Sequence, residues 1–132
     1  MSAASDYLEN ELLDHVLGKG ARDYDPASEL YVGLWTADDG LESGTLTSEV
    51  SGGSYARQTA TFAIASGGSS STNATITFPA ATANWGTITH VAIMDALTSG
   101  NVLFHGAVTT SKTIESGDTF QISSGNLTIT LA

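Results

Sequence analysis

The chain is predicted to be all-β: an antiparallel β-sandwich, jelly-roll or immunoglobulin-like, with one short N-terminal α-helix. Three observations predict this. From residue 29 to the end, apolar residues recur at every second position in short runs, the period of a half-buried strand. The segments between the runs are rich in glycine and serine, with 14 Gly against 2 Pro in 132 residues. Helical spacing is found once, before residue 20, and a single helix beside seven strand-like runs excludes a βαβ architecture.

The helix comes first. Leu8, Leu12 and Val16, flanked by Leu13 and Leu17, form an apolar face. Asp6 is placed as the N-cap with Glu9 three residues later as in a capping box, and Gly18 and Gly20 stop the helix. Two roles fit such a helix: a lid closing one end of the core, or an arm docking on a neighbouring subunit. Residues 1–20 are therefore assigned as an N-terminal helical arm and residues 21–132 as the sandwich domain, beginning with the polar "ARDYDPAS" linker.

"ELYVGLW" (29–35) is the first strand, and an acidic, glycine-rich loop follows over 36–53. "YARQTATFAI" (55–64) alternates, with Ala60, Phe62 and Ile64 inward and Thr59 and Thr61 outward. "ASGGSSST" is a flexible turn, and "NATITF" places Ala74, Ile76 and Phe78 on one face until Pro79 ends the strand. "WGTITHVAIMD" (85–95) and "NVLFHGAV" (101–108) form a hairpin around "ALTSG". "SKTIESGD" turns again, and "TFQI" and "NLTITLA" close the fold, with Leu127, Ile129 and Leu131 inward.

Composition excludes several functions. The formal charge is −10 with four Lys and Arg in all, and Lys19, Arg22, Arg57 and Lys112 form no patch in sequence. Binding nucleic acid or an anionic membrane needs clustered positive charge, so neither is expected as a partner. Without cysteine there is no disulfide and no thiolate nucleophile or ligand. The N-terminus lacks the basic start and apolar run of a signal peptide, and no stretch approaches the ~20 apolar residues of a membrane span, which predicts a soluble product of a cytoplasm.

No catalytic set emerges, because serine needs a strained elbow with a histidine and a carboxylate in reach, and no Gly-x-Ser-x-Gly occurs. The predicted hairpin sets His90 roughly opposite His105, as a cross-strand polar pair, as two half-buried histidines satisfied by neighbouring hydroxyls, or as half of a zinc site with Asp95 and Asp118 the only further ligands to consider. Asp38, Asp39 and Glu42 offer oxygen ligands of the kind calcium takes, but they miss the D-x-D-x-D-G pattern and read as a solvated acidic face. No metal or cofactor is called for. Arg57, in "EVSGGSYARQTATF", follows two glycines on the face of Tyr55 and Thr59. A lone arginine among 14 acidic residues forks onto a carboxylate, with the acidic loop before it and the helix the nearest sources. It reads as a structural pin. Trp35, Trp85, Tyr31 and Tyr55 are aromatic enough to stack on sugars, or simply to pack.

"YLENELLDHVLG", "LYVGLWTAD", "EVSGGSYARQTATF", "ITFPAATANWGTITHVAIMDA", "GNVLFHGAVTTSKTIESGDTFQI" and "GNLTITL" together resemble a family of small tailed-bacteriophage virion proteins, commonly labelled tail-fibre proteins. The resemblance covers nearly the whole chain. It implies a non-enzymatic component of the virion, with capsid or tail proteins as partners. A single compact domain with an N-terminal arm, and no heptads or fibrous repeats, also resembles capsid decoration (cement) proteins. That role is placed first, with a tail-fibre or baseplate role as the alternative and a carbohydrate-binding module behind it. A homo-oligomer, with a trimer favoured, is expected, with Arg57, Tyr55, Leu8, Leu12, Val16 and Trp85 as its structural or interface residues.

Overall fold

The computed structural model describes residues 3–20 and 24–131; residues 21–23 of the predicted linker and Ala132 of the predicted last strand lie outside them. In chain order the elements are β1 (Ala3–Ala4), α1 (Asp6–Leu17), β2 (Leu30–Trp35), β3 (Gln58–Ala60), β4 (Ser69–Ser71) and β5 (Ile76–Thr77). Then come β6 (Gly86–Met94), β7 (Val102–Ile114), β8 (Gln121–Ile122) and β9 (Thr128–Thr130). The fold is mainly antiparallel β with one short helix, as the alternation predicts.

Five strands form the main sheet in the order β1-β7-β6-β2-β3, and β4 with β9 and β5 with β8 make two small sheets. Alternation along β2 and β6 divides the apolar residues between the two faces. Val32, Leu34, Val91 and Ile93 join the larger cluster, which the small sheets cover with Ile76, Phe78, Phe120 and Ile129. Trp35, Ala92 and Met94 join a second cluster, covered by Leu41 and Leu46 of the 36–49 loop. Each fully buried side chain of this size contributes about 1.5–3 kcal/mol. The long loop is thus a second cover rather than a free excursion. It is fastened by hydrogen bonds from Thr36 N to Ser48 O (3.0 Å) and from the Ser48 hydroxyl to the Asp39 carboxylate (2.7 Å).

The structure corrects several local expectations. Ser5 is the N-cap of α1, its hydroxyl accepting from the Leu8 amide and donating to the Val102 carbonyl, and Asp6 is the first helical residue. Glu9 consequently falls one position too late for a capping box. Gly18 ends the helix in the left-handed region at φ 70°, with the Lys19 amide on the Asp14 carbonyl. Ala3 and Ala4, two residues with no strand signal, pair with His105 and Phe104 of β7. "SSS" inside the expected turn is β4, drawn into pairing by β9 and by Ser–Thr hydroxyl contacts such as Ser71 to Thr128 (2.9 Å). β7 continues to Ile114, so the turn tightens onto residues 115–118. Ile64 points out and is 97% exposed, because the chain leaves β3 after Ala60. Ala74 and Leu131 are exposed as well.

The β6–β7 hairpin has the predicted centre at its tip, where Met94 pairs with Val102. Irregularities between Ile93 and Met94 and between Ile88 and His90 then shift the register. His90 faces Ala107 and His105 faces Ala92, so the two are not directly opposite; they are half-buried with separate partners, a neighbouring hydroxyl for His90 and a carboxylate for His105. An extra residue in one strand advances every pair beyond it.

Candidate functional site

Arg57 is the best-defined polar site. It immediately precedes β3, on the face of Gly33 and Trp35, where "SGGS" delivers the chain through positive φ at Gly52 (76°), Gly53 (56°) and Ser54 (68°). A Cβ on Gly53 would meet the Trp85 ring at 2.9 Å, and the Trp85 Nε1–H donates to the Gly53 carbonyl at 2.9 Å. Glycine is required there by both the backbone and the indole.

Arg57 itself is 4% exposed. Its Nε and Nη2 donate to the two Glu49 carboxylate oxygens, each at 2.7 Å, in a two-pronged ion pair. Its Nη1 donates to the Ala96 and Ser99 carbonyls, both at 2.8 Å. One side chain therefore joins β3, the end of the covering loop and the tip of the β6–β7 hairpin. Four of its N–H groups are used within the chain, which leaves little to offer an anion, although a cleft of about 340 Å3 opens beside it.

Tyr55 completes the arrangement. Its hydroxyl donates to Glu49 Oε2 at 2.7 Å and accepts from the Leu34 amide at 3.0 Å. β3 pairs with β2 only as far as Val32, so the tyrosine oxygen supplies the acceptor that a longer strand would have given Leu34. Burial, reinforced by the Glu49 carboxylate, pushes the Tyr55 hydroxyl far above its ordinary range and keeps it a donor. Its ring lies 6.1 Å from Phe78, nearly parallel, and 5.5 Å from Trp85, edge to face. Gly33 makes room beneath: a Cβ there would sit 2.7 Å from the Trp35 ring and 3.0 Å from both Glu49 Oε2 and the Tyr55 oxygen.

The remaining expected residues fall in different places. Leu8 and Trp85 are buried in the larger core and Leu12 packs against it, whereas Val16 is 75% exposed. Trp35 and Trp85 are too deeply buried to present a ring to a sugar. The sheet histidines have separate partners: His90 Nδ1 and the Thr89 hydroxyl are 2.8 Å apart, and His105 Nε2 is 2.7 Å from Glu42 Oε2. Asp38 binds the Leu41 and Gly40 amides, and these bonds, Leu41's foremost, hold its carboxyl below the usual carboxylate range. Glu42 approaches Asp6 and Glu9 of α1, an exposed carboxylate group that no spacing in sequence foretells. Glu49 was within reach of sequence reasoning only as part of the acidic loop; its choice over Asp38, Asp39 or Glu42 depends on the fold of that loop.

Two open apolar surfaces complete the description. The outward face of α1 exposes Leu13 (57%), Val16 (75%) and Leu17 (66%). Between the main sheet and the β4–β9 pair lies a cleft of about 320 Å3, lined by residues that include Leu30, Phe62, Ile93, Leu103, Phe104 and Leu131. Among the described residues no helix is long and apolar enough to cross a membrane.

A family model described as podophage GP4 fiber I protein gp80 matches residues 3–130, from β1 through β9. No curated protein matches the chain. The match spans both sheet layers, the helix and the Arg57 site alike, so the chain belongs to the podophage GP4 fiber I protein gp80 family and is a bacteriophage structural protein.

Proposed function

We propose that this protein is a non-enzymatic, homo-oligomeric subunit of the phage fibre, attached to neighbouring virion proteins through the outward face of α1. The observation that carries the reading is the family match over residues 3–130, whose description names a fibre. The geometry supports it in two ways. The polar groups of the Arg57 site are spent on one another, which suits a rigid building block. The exposed Leu13, Val16 and Leu17 stripe gives that block an apolar attachment face. Residues 1–20 would then be the attaching segment and residues 21–132 the body, with a trimer the favoured assembly. Arg57, Tyr55 and Trp85 hold the body, and Leu8 and Leu12 seat the helix whose Val16 faces the neighbour.

Capsid decoration is the second reading, favoured by 132 residues that contain neither heptads nor fibrous repeats. A density map of the intact particle, with the chain located by antibody labelling, separates the two. Label along the fibre supports the first reading, label on the capsid face supports the second, and label on neither removes both. Val16→Glu should leave melting unchanged and reduce incorporation into particles.

A further inference from the structure

We infer that the outer edge of β7 is the surface by which copies of this chain would pair strand to strand, and that Lys112 and the irregularity beside it keep them from doing so. The inference goes beyond the proposed role and holds whichever part of the virion the chain occupies. β7 is the longest of the described strands, running from Val102 to Ile114. On its outer side β1 pairs only with Phe104 and His105, and the Ser5 amide donates to the Leu103 carbonyl. Among the described residues nothing pairs with that side from Gly106 to Thr113. The opposite edge of the main sheet, β3, is only three residues long. A long open edge is a template for another strand, and natural sheets shorten such an edge or blunt it.

The residues of this edge favour pairing. Positions 107–113, Ala-Val-Thr-Thr-Ser-Lys-Thr, are rich in β-branched side chains and hold neither glycine nor proline. They also hold no carboxylate, so the only side-chain charge that two such edges set against each other is that of Lys112. Two features blunt the edge. First, β6 advances from Ile88 to His90 while β7 runs from Lys112 back to Ala107, so residues 108–111 stand against Thr89 alone. The surplus bends β7 and divides its edge into short pieces that one straight strand cannot follow. Second, Lys112 is exposed, and among the described residues its ammonium has no hydrogen bond and no ion pair. The chain has four Lys and Arg, and Arg57 is spent on Glu49, yet this cation serves no contact of its own chain. A charged residue on an edge strand keeps an incoming strand from settling, and two copies in register would set Lys112 against Lys112.

Lys112→Val and Lys112→Glu in the full chain test this, by sedimentation over a range of concentrations and by amide hydrogen exchange, with circular dichroism melting to confirm folding. Lys112→Val makes an acidic chain more negative still, so self-repulsion alone predicts less association, whereas an unguarded edge predicts more. The variant should shift to species larger than those of the wild type, with new exchange protection within residues 107–113. Lys112→Glu keeps the edge charged and should sediment as the wild type does. If Lys112→Val does not fold, Lys112→Thr, which repeats the neighbouring Thr113, takes its place. A folded, uncharged variant no larger than the wild type overturns the inference, as does one that associates without protecting residues 107–113. So does Lys112→Glu if it associates as readily as Lys112→Val, since charge would then not be the guard. A wild type that itself gains protection at residues 107–113 on assembly also overturns it, because the edge would then be an interface.

Discussion

Arg57 shows how much one side chain can hold when its partners are far apart in sequence. Arg57→Ala should cost about 3–5 kcal/mol in denaturant melts, because Glu49 would be left half-enclosed without its counter-charge. Arg57→Lys should recover only part of this, since an ammonium cannot fork onto a carboxylate while also meeting two carbonyls. Tyr55→Phe leaves the Leu34 amide without an acceptor and should cost about 1–3 kcal/mol at neutral pH. The same variant has a signature in alkali. The folded Tyr55 hydroxyl ionises far above its ordinary 10.0, so its contribution is intact below pH 10 and is lost as pH rises beyond it. Wild type should lose stability more steeply than Tyr55→Phe above pH 10. Asp38 has the opposite sign. Its pKa is lowered from 3.8, so its contribution is present above that value and fades as pH falls below it. Asp38→Asn should flatten the acid limb of a melting-temperature curve, by a small amount because the carboxylate is exposed.

Among the elements, β2, β6 and the helix were legible in the sequence because local patterning and tertiary burial agree there. The failures share a cause. Ala3–Ala4 and Ser69–Ser71 carry no strand signal of their own and are strands only because β7 and β9 offer ladders to them. His90 and His105 are not directly opposite because the tip pairing of Met94 with Val102 already points His90 at Gly106, and the irregularity between Ile93 and Met94, which alternation does not reveal, moves it one further to Ala107. The N-cap moved from Asp6 to Ser5, since both residues can cap and the Val102 carbonyl favours the buried hydroxyl. At the Arg57 site, the need for a carboxylate was legible but its address was not. Ser5→Ala should therefore cost about 1–2 kcal/mol in thermal melts, the range for losing a cap, whereas Asp6→Ala should cost distinctly less. Removing residues 1–20 should leave a β-rich chain by circular dichroism that melts lower. Emptying the Leu8 site alone is expected to cost about 2–5 kcal/mol. An unchanged melt would mean that β1 and Leu8 add nothing to the body.

At the scale of the whole molecule, the main sheet is covered on one face by two short sheets and on the other by a loop, and the Arg57 site joins that loop to the rest. Its partners lie 8, 39 and 42 positions away along the chain. Because two of these partners come within reach only once the hairpin has formed, the clamp is expected to form late in folding. A bond made after the rate-limiting step leaves the folding rate alone and acts on the escape rate. Arg57→Ala should then unfold faster by about two orders of magnitude or more in stopped-flow denaturant jumps, while refolding at nearly the wild-type rate. A slowed refolding limb with unchanged unfolding would instead put the clamp in the folding nucleus. On the first of these results, the endurance of each copy, the time it stays folded once made, would be set by this arginine.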